Sequence, residues 1–214
     1  MKIHKFTFNP FGEHTYIVWN EQSKKAAIID PGMMDNSERT AVAEFIENNN
    51  LSLQQLFNTH MHVDHAAGNH FIETTYGLQT ACSVADNYLA QSLTAQARLF
   101  GIPYDEGEIS IQTDLADGQL IKVADEECRV LHIAGHTKGH IALYFPTEGI
   151  VFSGDALFHM SIGRTDLPGG DYDALINNIE NKLLSLPPET IVLTGHGPQT
   201  TIGFESRHNP YLAR

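Results

Sequence analysis

A chain of 214 residues, 42% hydrophobic and 18% charged, carries enough apolar side chain for one substantial core and has no 18-residue apolar run to span a membrane. Thirteen Lys and Arg against 26 Asp and Glu leave a formal charge of −13, which repels phosphate backbones and argues against nucleic acid as a partner. Cys82 and Cys128 form no metal-ligand or redox motif and are expected as buried thiols.

The first ten residues lack the long apolar core of a signal peptide, so the expectation is a cytoplasmic protein. Residues 15–19 are rich in β-formers, residues 20–23 make a polar turn, and residues 26–29 give a second strand that Asp30-Pro31-Gly32 ends. A helix is predicted from Ser37 as its N-cap, with Val42, Phe45 and Ile46 on one face, ending at Asn48-Asn49-Asn50. Residues 53–59 are predicted as a strand that delivers His60. Residues 66–76 follow as a helix stopped by Gly77, and Ser83 is expected to cap a helix running to about Leu99. Strands are predicted at 119–123, 129–133, 140–145 and 149–152. Asp171 or Asp173 caps an amphipathic helix whose apolar positions Leu175, Ile176, Ile179, Leu183 and Leu184 recur at helical spacing; Pro187-Pro188 closes it, and residues 191–193 form the last strand. No repeat, low-complexity tract or linker interrupts the chain, so a single domain over 1–214 is expected. Its mixture of helices and adjacent strands predicts a layered α/β protein rather than a purely parallel sheet.

Twelve histidines are many for this length, and their placement carries the functional reading. His60-Met61-His62-Val63-Asp64-His65 sets three imidazoles and a carboxylate on one short loop. The plain alternative is a polar loop that happens to be histidine-rich, but matching ligands follow downstream. Imidazole with carboxylate suits Zn²⁺, Fe and Mn²⁺. Four donors on one short loop would strain around a single ion; two neighbouring ions relieve the strain and call for further ligands. His136 in Gly135-His136-Thr137-Lys138-Gly139-His140, Asp155 in Ser153-Gly154-Asp155 and His196 in Gly195-His196-Gly197 supply them. Each lies at a predicted strand end beside glycine, which lets the backbone turn sharply.

The ordered set HxHxDH, GHTxGH, SGD and GHG resembles the metallo-β-lactamase superfamily, and within it the glyoxalase II-like branch. The resemblance runs from Asp30-Pro31-Gly32 to the tail Gly203-Phe204-Glu205 and Asn209-Pro210-Tyr211-Leu212. Gly163-Arg164-Thr165-Asp166 and that tail are similar to the short bacterial proteins that lack the C-terminal helical domain; here 18 residues follow His196. The resemblance implies a four-layer αββα sandwich with two divalent ions at one edge of its sheets, Zn suiting them best, with Fe or Mn as alternatives. It assigns His60, His62 and His136 to one ion, Asp64, His65 and His196 to the other, and Asp155 as a bridge. Asp64 and Asp155 then act catalytically through a metal-bound hydroxide.

The implied activity is hydrolysis of a thioester, S-D-lactoylglutathione or a related acyl-glutathione. The alternative is a mononuclear-iron glutathione persulfide dioxygenase. That group shares Gly163-Arg164-Thr165-Asp166 but carries Cys where this chain has His140. A lactonase and a non-catalytic binding protein are more remote, and Asp155 argues against β-lactam degradation. Asp30 is implied to stand behind the His60 loop, with turn-capping as the plain alternative, and His140 to orient the loop of His136. Two readings of Arg164 stand open: grip on a substrate carboxylate, or a salt bridge to Asp166 or Asp171. Two stand open for His14 as well: lining the site entrance, or a neutral surface replacement. The expected partner is a small molecule rather than nucleic acid or membrane, with the chain a monomer or small homo-oligomer.

Overall fold

The computed structural model describes residues 1–212, and the chain divides into two compact units: residues 1–114 with 122–126, and residues 115–121 with those from 127 onward. The first unit is built on a six-stranded sheet of β1 (Lys2–Phe8), β2 (Glu13–Trp19), β3 (Lys25–Ile29), β4 (Ser52–Phe57), β5 (Thr80–Cys82) and β6 (Thr113–Asp114), in that order. β1 to β3 run antiparallel; β3 to β6 are parallel, as their helical crossovers require. In β2 all residues from Glu13 to Val18 are buried, a continuous run rather than an alternating one.

Three predicted helices take a different form here. α1 (Asn36–Asn48) is capped by Asp35, whose carboxylate accepts the Glu38 N–H at 2.9 Å, and the Ser37 hydroxyl donates to the same oxygen. The charged Asp35 therefore displaces Ser37 as N-cap, since a carboxylate also answers the positive end of the helix dipole. The helix expected at 66–76 is split into α2 (Val63–Ala66) and α3 (Asn69–Tyr76). Gly68 separates them by donating its N–H to the Pro31 carbonyl, at a spot where a Cβ would strike Met33 and that carbonyl. The helix expected at 83–99 becomes a 3₁₀ turn (Val84–Asp86), α4 (Asn87–Ala90) and α5 (Leu93–Phe100). The Ser92 hydroxyl bonds back to the Tyr88 and Leu89 carbonyls and ends α4, while the Glu108 carboxylate takes the Leu93 and Thr94 N–H groups and starts α5. Two apolar clusters fill this unit, one around Ile17, Ile28, Val42 and Ile72, the other around Met61, Val63, Leu89 and Leu93.

The second sheet holds β7 (Leu120–Val123), β8 (Glu126–His132), β9 (Ile141–Phe145), β10 (Ile150–Gly154), β13 (Ile191–Thr194) and β14 (Thr200–Thr201), in the order β14-β13-β10-β9-β8-β7. β11 (Leu157–Phe158) and β12 (Ser161–Ile162) form a separate small hairpin. α6 (Tyr172–Asn178), capped by Asp171, widens into a π-helical turn over Ile179–Leu183, and α7 (Ile202–His208) lies in the tail. Leu175, Ile179 and Leu183 pack with Leu131, Ile133, Val151 and Val192 in the core of this unit. Both cysteines are buried thiols. Among the described residues no helix is long and apolar enough to cross a membrane.

Candidate metal centre

In the first unit the chain leaves β4 and passes through Asn58 and Thr59 into the loop bearing His60, His62, Asp64 and His65. The loop is held by its backbone. Asp86 accepts the Met61 N–H at 3.3 Å, Gln96 accepts the Val63 N–H at 3.0 Å, and Asn58 Nδ2 donates to the His65 carbonyl at 2.8 Å. All three imidazoles are buried. Potential ligand atoms of His60 and His62, of His60 and His65, and of Asp64 and His65 lie within 4.8 Å of each other.

Asp30 stands behind these histidines. It is held at φ 51°, in the left-handed region that Asp tolerates better than most residues. Its carboxylate accepts the Thr59 N–H and O–H, both at 2.7 Å, and faces His65 Nδ1 at 3.2 Å. Because the Thr59 hydroxyl donates to Asp30, it can only accept from His60 Nδ1, 3.0 Å away. His60 Nδ1 therefore carries the proton, and Nε2 is the lone-pair nitrogen of that ring, while His65 Nδ1 faces the Asp30 carboxylate.

The sequence reading missed Glu13. This fully buried carboxyl accepts the Thr15 hydroxyl at 3.0 Å and comes within 4.0 Å of His65 Nδ1. Burial pushes its pKa well above the usual carboxylate range. The available signal was an acidic residue opening a strand that is otherwise buried. His14, the next residue, is buried, with its ring against the Tyr16 hydroxyl at 3.4 Å and Lys5 Nζ at 3.3 Å, which removes the surface reading.

In the second unit the donors follow strand ends: His136 after β8, Asp155 directly after β10, and His196 after β13. The parallel pairing of β10 with β13 brings the last two together, and the Gly195 N–H donates to the Gly154 carbonyl at 2.8 Å. Asp155 Oδ2 lies 3.7 Å from His136 Nε2 and 3.5 Å from His196 Nε2, so one carboxylate oxygen faces two imidazoles. His136 Nδ1 lies 2.8 Å from the Arg164 carbonyl, which can only accept; this ring too presents Nε2 as its lone-pair nitrogen.

The His140 ring stands edge-on to that of His136, with centroids 5.8 Å apart, and also reaches the Asp155 loop. Its Nε2 accepts the Asp155 N–H at 3.0 Å, while its carbonyl accepts the Ile133 N–H and closes the His136 loop through the backbone. The Arg164 guanidinium grips Asp166 at 2.7 and 2.8 Å and, at 54% exposure, holds that carboxyl down at a pKa of about 2. At Gly163 a Cβ would overlap the Asp155 carbonyl and crowd His136 Nδ1, so only glycine lets this segment pass.

Two of the five histidines, His60 and His136, thus have Nδ1 bonded to an oxygen, and most of the donors are buried. Such a set fits a transition metal or zinc, whose imidazole ligands need an outer-shell acceptor to fix tautomer and orientation.

Comparison with known proteins agrees with this chemistry. A model of the Metallo-beta-lactamase superfamily matches residues 8–196, a span that holds every donor named above. The chain is 36% identical to hydroxyacylglutathione hydrolase GloC of Haemophilus influenzae over 213 residues, 99% of this chain and 98% of that protein. Among solved structures it is similar to BLEG-1 B3 metallo-beta-lactamase, with TM-score 0.89 and 32% identity over 100% of both chains. It is also similar to TTHA1623 in a di-iron-bound form, with TM-score 0.86 and 35% identity over 98% of this chain and 100% of that one.

Proposed function

The chain belongs to the Metallo-beta-lactamase superfamily, and from that membership we propose that it uses two divalent ions to hydrolyse a thioester, S-D-lactoylglutathione or a related acyl-glutathione. In this reading His60, His62 and His136 hold one ion, Asp64, His65 and His196 hold the other, and Asp155 bridges them. The observation that carries the chemistry is the commitment of Nδ1 in His60 and His136 to oxygen partners, which leaves Nε2 of each as the nitrogen able to bind metal, with the His65 ring facing the Asp30 carboxylate through Nδ1. The Asp155 oxygen that faces both His136 and His196 supports its bridging role. Zn²⁺ suits imidazole with carboxylate, and Fe or Mn is compatible with the same donors.

Bound there, the ions would lower the pKa of a coordinated water towards about 7 and polarise a carbonyl. The protein's own part is to hold the donors in place, through Asp30 and Thr59 in one unit and His140 and the Arg164 carbonyl in the other. Burial of the imidazoles keeps competing water away from them. A thiolate leaves without prior protonation, so thioester cleavage asks for no separate general acid. Likeness to a hydroxyacylglutathione hydrolase along nearly the full length of both chains supports the choice of thioester. The exposed Arg164 guanidinium can exchange Asp166 for a substrate carboxylate.

The test is a substrate panel: S-D-lactoylglutathione, other acyl thioesters, a lactone, a β-lactam and glutathione persulfide, the last with oxygen uptake recorded. The β-lactam belongs there because of the BLEG-1 likeness. Preferred turnover of thioesters without oxygen uptake is the expected result. Oxygen consumption on the persulfide, or preference for the β-lactam, would replace this reading.

A further inference from the structure

We infer that Asn9 is a positioning residue for the metal loop, its side-chain amide clamping the backbone of Asp64 to that of Gly32. The inference rests on Asp64 being a ligand. The Gly32 and Asp64 carbonyl oxygens converge on one nitrogen, Asn9 Nδ2, which donates to each at 3.0 Å. Two carbonyl oxygens pointed at one spot repel each other. A neutral primary amide, with two N–H groups on a single atom, satisfies both.

The approach is tight: a Cβ on Gly32 would overlap the Asp64 carbonyl and the Glu13 carboxyl. The Asp30-Pro31-Gly32 turn and the metal loop are thus in backbone contact, and the Asn9 amide seals the seam.

Asn9 is itself fixed at every polar group. Its backbone sits at φ 52°, its N–H donates to Glu38 Oε1 at 2.7 Å, its carbonyl accepts the Gly12 N–H at 3.1 Å, and its Oδ1 accepts the Phe11 N–H at 3.1 Å. The other Glu38 oxygen takes the Met34 N–H at 2.7 Å. The first turn of α1 therefore braces both the β1–β2 connection and the segment after Gly32. Asn9 acts on the backbone that aims the Asp64 carboxylate.

The experiment is Zn²⁺ titration of the intact apo-protein against a chromophoric chelator, for wild type, Asn9→Ala, Asn9→Asp and Glu38→Gln. Wild type is expected to bind two ions. Asn9→Ala should weaken one of them by about 10–100-fold and leave the other essentially unchanged. Asn9→Asp should be worse, because it turns carboxylate oxygen towards two carbonyls. Glu38→Gln keeps the amide but replaces one bracing oxygen with a donor, so it should weaken the same ion by less; it carries the test if the Asn9 variants do not fold. Unchanged affinities, or equal loss of both ions, would overturn the inference. A wild type that binds one ion removes the two-ion reading alone; the role of Asn9 is then decided by whether that single affinity falls in Asn9→Ala.

Discussion

At the scale of single residues, the centre depends on which atom of each histidine carries the proton, and Asp30 governs this in the first unit. Asp30→Asn would point an amide N–H₂ at the Thr59 N–H or O–H, which require oxygen, and would remove the carboxylate charge that faces His65 Nδ1. The expected outcome is a folded protein in which one metal is bound about 10–100-fold more weakly, measured by chelator competition. The candidate donors were legible in the sequence because their spacing is distinctive. Their supports were not: Thr59, Asn58 and Glu13 are ordinary residue types whose roles exist only once strands bring them together. The buried thiols add a pH effect. Burial raises the pKa of Cys82 and lifts that of Cys128 to about 12. The folded state then binds these protons more tightly than the unfolded chain, whose thiols ionise from about 8.5. Their contribution is complete below that pH and is lost as pH rises towards the folded pKa. Denaturant midpoints measured from pH 7.5 to 10 should fall for wild type and fall less for Cys128→Ala.

Among the elements, capping and glycine contacts decide what periodicity could not. The apolar spacing of Leu175, Ile179 and Leu183 located the helix that covers the second sheet, and Asp171 does cap it through the Ala174 N–H at 2.9 Å. Asp171→Ala should cost about 1 kcal/mol of stability, read from chemical denaturation, with metal binding unchanged. The seat of this helix is close: a Cβ on Gly135 would overlap the Leu175 backbone, which ties the glycine before His136 to packing as well as to the loop. Where one helix was expected over 83–99, the break at Ser92 is set by Glu108, 15 residues away in sequence from Leu93. No local pattern announces that contact. β1 was missed for a related reason: it is an edge strand with four half-buried or buried residues among exposed ones, a weak alternation. The two-residue strands β6, β11, β12 and β14 are too short to leave any periodicity.

For the whole molecule, the mixed α/β architecture was readable from the alternation of strand and helix patterns. The grouping of the chain into two units was not, because the segment from 115 to 126, where the chain crosses between them, carries no linker composition. We propose that both units work as one domain, since the family match runs through 8–196 without a break. Calorimetry of the metal-loaded protein should then give a single cooperative transition, and two separated transitions would argue for independent domains. We propose that the histidine and aspartate donors serve two ions in a hydrolytic centre. The most direct test is the rate of S-D-lactoylglutathione hydrolysis by apo-protein as metal is added back in measured equivalents. The rate should keep rising until two equivalents per chain are bound and stay flat beyond them. Saturation at one equivalent, or no hydrolysis at any loading with Zn, Fe or Mn, would contradict this proposal.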